Sequence, residues 1–205
     1  MYCRLIMGDL NYSRQQARRC SKLIFVLTEG SSREPEYFGN FSAENSRFRI
    51  HVIERNDQEN NSPDGLLRKA KKYRQNVSKL LDIQIRRDDE FWLVVDVDKW
   101  PHLPELIQKT RNSGWNIAIS NPCFEVWLYF HFFDSRIESE NTDWKRLVDN
   151  SVGSGAGFQS SKHHKFYKNA VRNSKAVYSE NGSIPGYGTT SVYQIFQNFV
   201  EEIDS

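Results

Sequence analysis

Cysteine is scarce and scattered in this chain. Cys3, Cys20 and Cys123 are odd in number and share no metal-ligand spacing, so neither a disulfide framework nor a zinc site is indicated. The five histidines form no metalloprotease pattern. Long hydrophobic runs are missing as well: no stretch reaches the roughly 18 consecutive apolar residues of a membrane span, and no apolar run follows the basic N-terminal residues as a secretory signal requires. The expectation is a soluble, cytoplasmic protein with no membrane partner. Acidic charge is absent from one long segment, Ser151 to Ser179, which carries Lys162, Lys165, Lys168, Arg172 and Lys175. Net charge over the 205 residues is only +2, so this basic character is local. A mean hydropathy of -0.69 is polar, but 13% aromatic residues and five Trp point to a folded globule with one sizeable core.

What is present is organised around Phe91–Val95, an unbroken apolar run that ends in Asp96 and Asp98. Such a run reads as a strand buried on both faces of a parallel sheet. Ligands of open α/β sheets sit beyond the carboxyl ends of the strands, and side chains at i and i+2 of an extended chain point the same way. Two carboxylates that close need a cation, or one must hold a proton. A helix-capping Asp beside a turn Asp is the plain alternative. Lys22–Thr28 is a second buried run, and it stops at Glu29-Gly30. Arg47–Glu54 alternates polar with apolar and should lie nearer the sheet edge, and Trp115–Ile119 is a fourth strand.

Helical periodicity falls between these strands. A short helix opens at Glu34-Pro35, with Ser31 or Ser32 as its cap, and a longer one starts at Pro63. The basic outer face of the latter, Lys69, Lys72 and Lys79, reads as solvated. A third spans about Pro104–Asn112, and a fourth, Pro122–Phe133, is apolar nearly all round except for Glu125 and His131. Glu125 misses the offset of a capping box, so on a buried first turn it needs a cation, a donor or a water-filled site. His131 reads as a satisfied core or rim histidine. Lys162–Tyr178 resumes helical spacing with its five cations on one stripe, and Val192–Val200 closes the chain. The order implies a doubly wound, mostly parallel four-stranded α/β sheet with helices on both faces. The expected organisation is a mobile basic arm over 1–20, an α/β core over 21–134, and a helical extension over 135–205 packed on the core.

Acids at three strand ends, Glu29, Asp96 with Asp98, and the segment holding Glu125, are hard oxygen ligands suited to Mg2+ or Mn2+. An ion of this kind can activate water and neutralise a phosphodiester transition state. The Glu-Gly after the first strand and the Asp-x-Asp after the third resemble the TOPRIM pattern of primases, type IA and II topoisomerases and OLD-type nucleases. The wider match runs through Val26-Leu27-Thr28-Glu29-Gly30, Glu34-Pro35-Glu36-Tyr37-Phe38, Ser62-Pro63, Val95-Asp96-Val97-Asp98, Ser120-Asn121-Pro122-Cys123-Phe124-Glu125-Val126-Trp127-Leu128 and Gly188-Thr189-Thr190-Ser191-Val192-Tyr193. Over about residues 22–202 the chain is similar to the RloB family, small TOPRIM-like proteins of prokaryotic defence loci often encoded beside an AAA-type ATPase.

That resemblance implies a TOPRIM-like fold and an Mg2+- or Mn2+-dependent endonuclease of anti-phage defence. It implies DNA or tRNA as substrate and an AAA-type ATPase as partner. Glu29, Asp96 and Asp98 carry over as metal-centred catalytic residues, and Glu125 matches the family's Asn-Pro-x-Phe-Glu motif as a fourth acid. Lys99 departs from the acidic or small residue expected after the second Asp. Clustered carboxylates repel a polyanion unless metal and nearby cations outweigh them, so Lys162, Lys165, Lys168, Arg172 and Lys175 are the candidate residues for holding the phosphate backbone. Two other readings stay open. One is a non-catalytic subunit that binds nucleic acid or the ATPase. The other is a phosphatase of the haloacid-dehalogenase kind, whose Asp-x-Asp motif lies near the chain start and is usually followed two positions on by Thr or Val, where Trp100 stands here. The chain has no room for the strand-gating domains of a topoisomerase, and no template or nucleotide module of a primase is found.

Overall fold

The computed structural model describes residues 21–42, 47–55, 63–97, 102–152 and 156–200. The basic segment 1–20 and Asp98 lie outside them. Strands β1 (Lys22–Thr28), β2 (Phe48–Val52), β3 (Glu90–Asp96) and β4 (Asn116–Asn121) are parallel and stand in the order β2-β1-β3-β4. Helices α1 (Arg33–Gly39), α2 (Pro63–Leu81) and α3 (Leu103–Asn112) connect them. β1 and β3 are buried on both sides, because their residues alternate between two cores. Ile24, Val26, Trp92 and Val94 join the core under α1, whereas Phe25, Leu27, Phe91, Leu93 and Val95 join the core under α2 and α3. A run of apolar residues without alternation is therefore what this position requires. β2 is an edge strand, as its alternating pattern suggests.

The expected four-stranded sheet has a fifth strand. After α4 (Glu125–Tyr129), α5 (Trp144–Ser151), α6 (Ser160–His163) and α7 (Tyr167–Val177), a hairpin of β5 (Glu180–Asn181) and β6 (Ile184–Pro185) precedes β7 (Thr189–Thr190). β7 pairs antiparallel with β4, Ser120 facing Thr190. Two threonines give no periodic signal. They join the sheet through hydroxyls as well as backbone: Ser120 Oγ and Thr190 Oγ1 are 2.8 Å apart, and Ser191 Oγ accepts from Ile119 N at 2.8 Å. α8 (Tyr193–Val200) then lays Phe196 and Phe199 on the first core beside α4 and α7. The C-terminal third thus completes the sheet and one of its two covering layers.

Two expected helices are shorter than their patterns. The apolar stretch Pro122–Phe133 is helical only over Glu125–Tyr129, after a cis Asn121–Pro122 peptide, and continues in turns such as His131 N to Leu128 O at 3.2 Å. Asn173 of α7 terminates it, donating from Nδ2 to the carbonyls of Phe130 and Phe133 at 2.9 Å each. The stretch Lys162–Tyr178 is interrupted by a 3-10 turn at His164–Phe166. In that geometry residues i and i+3 eclipse, so His164 and Tyr167 both meet Phe41, with ring centroids 5.3 and 5.5 Å away. Among the described residues no helix is long and apolar enough to cross a membrane.

Candidate active site

The carboxyl ends of β1 and β3 are neighbours where the strand order changes direction, which is where open α/β sheets bind ligands. Glu29 follows β1 directly. Its N–H donates to Val94 O at 2.9 Å, so the ladder runs one residue past the strand, and its carboxylate then reaches over the end of β3: Oε2 accepts from Asp96 N at 3.2 Å. Arg55 secures this turn by donating to the carbonyls of Thr28 and Glu29, and Thr28 Oγ1 donates to Gly30 O at 2.8 Å. Asp96 is 5% exposed.

Beside this pair opens a cleft of about 330 Å³ whose walls include Glu34, Asp96, Cys123, Glu125, Arg33 and Lys145. Glu34, in the first turn of α1 and 8% exposed, folds back over Gly30, where a Cβ would overlap both of its carboxylate oxygens. Glu125 stands at the first position of α4, and Arg33 holds it: Nη1 donates to Glu125 Oε1 and Nη2 to Asp149 Oδ1 of α5, each at 3.0 Å. This guanidinium is the cation that a carboxylate on a buried first turn needs. Side-chain exposures of 25% for Arg33, 17% for Glu125 and 34% for Asp149 place the network between a screened surface pair and a dry one, so it fastens α1, α4 and α5 together more firmly than a surface pair would. Lys145 is set by its own helix, whose N-cap Asp143 accepts from Arg146 N at 3.0 Å. Burial first, and then the charges of Glu125 and Asp96, push the Cys123 thiol up, which disfavours its thiolate.

Over residues 24–199 the chain matches the family model for RloB-like proteins. It belongs to that family. No curated protein and no solved structure matches it.

In this RloB-like chain Glu29 and Asp96 meet directly, and Asp96 and Glu125 face one cleft. Asp98 and Lys99 lie outside the described residues. Among the described residues no three Asp, Glu, His or Cys side chains converge closely enough to hold an ion by themselves. Glu29 and Asp96 do offer the donor type that a hard divalent ion takes, carboxylate oxygen, from two neighbouring strand ends. His131 is a core histidine: it is 1% exposed, with Nε2 2.9 Å from Tyr37 Oη and Nδ1 3.1 Å from Trp127 O. None of Lys162, Lys165, Lys168, Arg172 and Lys175 walls the cleft. They lie on α6, the 3-10 turn and α7, and among the described residues the cations that wall the cleft are Arg33 and Lys145.

Sequence reasoning passed over Arg33, Glu34 and Lys145. An acid in the first turn of a helix reads as a partner of the helix dipole, which conceals a role for Glu34. Arg33 did carry a signal, since it is the only Lys or Arg between Glu29 and Ser46, among the acids 29, 34, 36 and 44. Lys145 carried none.

Proposed function

We propose that this RloB-like chain is a TOPRIM-type, Mg2+- or Mn2+-dependent endonuclease that cleaves DNA or tRNA in prokaryotic anti-phage defence, under the control of a partner AAA-type ATPase. The observation that supports it most is the meeting of Glu29 and Asp96 across two neighbouring strand ends, with Oε2 to N at 3.2 Å, beside a cleft that Glu34 and Glu125 also enter. Glu29, Asp96 and Asp98 would hold the ion, with Glu125 as the fourth acid. Such an ion, when bound, supplies Lewis acidity toward a phosphodiester and a nucleophilic water at neutral pH. The chain's own residues supply the rest. The Asp96 N–H orients the Glu29 carboxylate, and Glu34 adds negative charge beside Gly30. Arg33 and Lys145 offset part of the repulsion that these acids exert on a polyanion. Cys123 contributes wall.

The test is cleavage of labelled DNA and tRNA by the full chain, with and without the ATPase partner and ATP. Cleavage is expected with Mg2+ or Mn2+, abolished by EDTA and restored by excess Mn2+. Binding without cleavage in every combination would favour the non-catalytic subunit, a reading that one observation supports: Glu125 is already neutralised by Arg33.

Glu34 can be tested through its neighbour. Gly30→Ala places a Cβ where the Glu34 carboxylate lies, and the flexible acid must swing away. Cleavage should fall about 10- to 100-fold, the range for disturbing a group behind a metal ligand. Wild-type cleavage by Gly30→Ala would remove Glu34 from the site.

A further inference from the structure

The surface after α6 carries a feature that the cleft does not use. Among the described residues only three large hydrophobic side chains are exposed, Leu80, Phe133 and Phe166, the last at 38%. Phe166 ends the 3-10 turn, its ring 5.9 Å from the ring of Phe132 and with Lys165 Nζ 5.7 Å from its centroid. On the same segment Lys162 and Lys165 are exposed and Lys168 is half-buried, and no acid occurs between Ser151 and Ser179. The patch is tied to the cleft through Phe158. The Phe158 ring is 6.1 Å from that of Phe132, and its N–H donates at 3.3 Å to Asp149 Oδ1, the atom that Arg33 holds.

Lysines alone attract any polyanion, duplex or single strand. An exposed aromatic ring among them adds something only when a base is free to leave its own stack, because the faces of paired bases are already covered. An exposed ring on a segment with three cations and no acid of its own matches the chemistry of an unpaired nucleotide: π face on ring, phosphate on ammonium.

We propose that Phe166, backed by Phe132 and flanked by Lys162, Lys165 and Lys168, is a stacking platform for an unpaired base, so that the class of nucleic acid taken by this chain is single-stranded or looped, not continuous duplex. This rests on the nuclease reading only for what happens in the cleft afterwards; binding at the platform is independent of it.

The experiment is fluorescence anisotropy of the full chain in EDTA, with a labelled single strand and with the same sequence as a duplex. The variants are Phe166→Ala, Phe166→Trp and the pair Lys162→Ala with Lys165→Ala, each checked by thermal melting. Phe166→Ala should weaken single-strand binding about 5- to 150-fold, with little effect on duplex and an unchanged salt slope. Phe166→Trp should retain the affinity. The lysine pair should lower the slope of log K against log salt by about 0.7 for each phosphate that is no longer neutralised. Single-strand affinity of Phe166→Ala within twofold of wild type would overturn the proposal, as would equal losses on single strand and duplex. A poly-glutamate peptide competing as well as the single strand would overturn it in favour of an acidic protein partner. Phe166-dependent binding with no cleavage anywhere would sink the nuclease reading and leave the platform standing, and cleavage without dependence on Phe166 would do the reverse.

Discussion

Asp96→Asn is expected to abolish Mn2+ binding and to lower cleavage by on the order of a thousandfold, while leaving the fold intact. Asn is nearly isosteric with Asp and keeps the backbone N–H that Glu29 Oε2 accepts at 3.2 Å, so the local geometry persists. What disappears is one charge. Asp96 is 5% exposed and shares its surroundings with Glu29, Glu34 and Glu125, and packing like charges together is tolerated in binding sites at the expense of stability. Arg33 and Lys145 wall the same cleft, so removing one charge takes away a ligand with little net change in stability. Calorimetric titration with Mn2+ and a thermal melt of the same sample read the two effects separately. Wild-type Mn2+ affinity in the variant would take Asp96 out of the metal site. Weakened Mn2+ binding together with a lower melting temperature would instead mean that Asp96 holds the strand end together.

The parts of this molecule that the sequence disclosed are those where one physical demand acts on many consecutive residues. β1 and β3 had to be apolar on both faces, so Ile24 to Leu27 and Phe91 to Val95 announce themselves, and with them the acids at their ends. β7 escaped because two threonines anchored by hydroxyl and backbone bonds satisfy the sheet without any apolar pattern. The helix after Pro122 was overestimated for the opposite reason. Its residues are apolar all round because Phe130 and Phe132 remain in or against the core in turns, and burial says nothing about whether the backbone stays helical.

The candidate site divides in the same way. Glu125 was recognisable as a carboxylate in need of a cation, but its partner lies 92 residues earlier in the chain, at the first position of a different helix. Only the packing of α1 beside α4 brings them together, and no local pattern encodes that. Continuity in the basic stripe is what the structure changes: five cations at helical spacing imply one helix, whereas the 3-10 turn at His164–Phe166 holds Lys165 and parts Lys162 from Lys168, Arg172 and Lys175. That same break exposes Phe166, which continuous helical spacing would place on the buried side.

Stability is expected to fall steeply on mild acidification, by about 1.4 kcal/mol per pH unit below pH 6.5 from His131 alone. Burial in the aromatic core is the main cause that lowers the pKa of His131 to about 3, with His163 and His164 adding to it and hydrogen bonds to the Trp127 and Leu128 backbone opposing it. A carbonyl can only accept, so Nδ1 carries the proton toward Trp127 O and Nε2 is left to accept from Tyr37 Oη. Above about pH 6.5 the ring is neutral in both folded and unfolded chains, and His131 contributes no pH dependence. Below it the unfolded chain takes up a proton that the folded chain refuses until about pH 3, so stability is lost over that window, amounting to roughly 5 kcal/mol across its full width. This is comparable with the whole stability of a marginal domain. His51 and His163, both lowered by burial, act in the same direction, with Glu54 opposing the shift at His51. Carboxylates begin to titrate in the unfolded chain mainly below about pH 4.5, so the interval from pH 6.5 to 5 isolates the histidines. Urea unfolding at several pH values across it, for wild type and His131→Gln, measures the effect. A glutamine amide can still donate to Trp127 O and accept from Tyr37 without titrating. The variant should therefore lose about 1.4 kcal/mol less per pH unit than wild type, and parallel slopes in the two proteins would show that His131 is protonated in the folded state or freely reached by solvent.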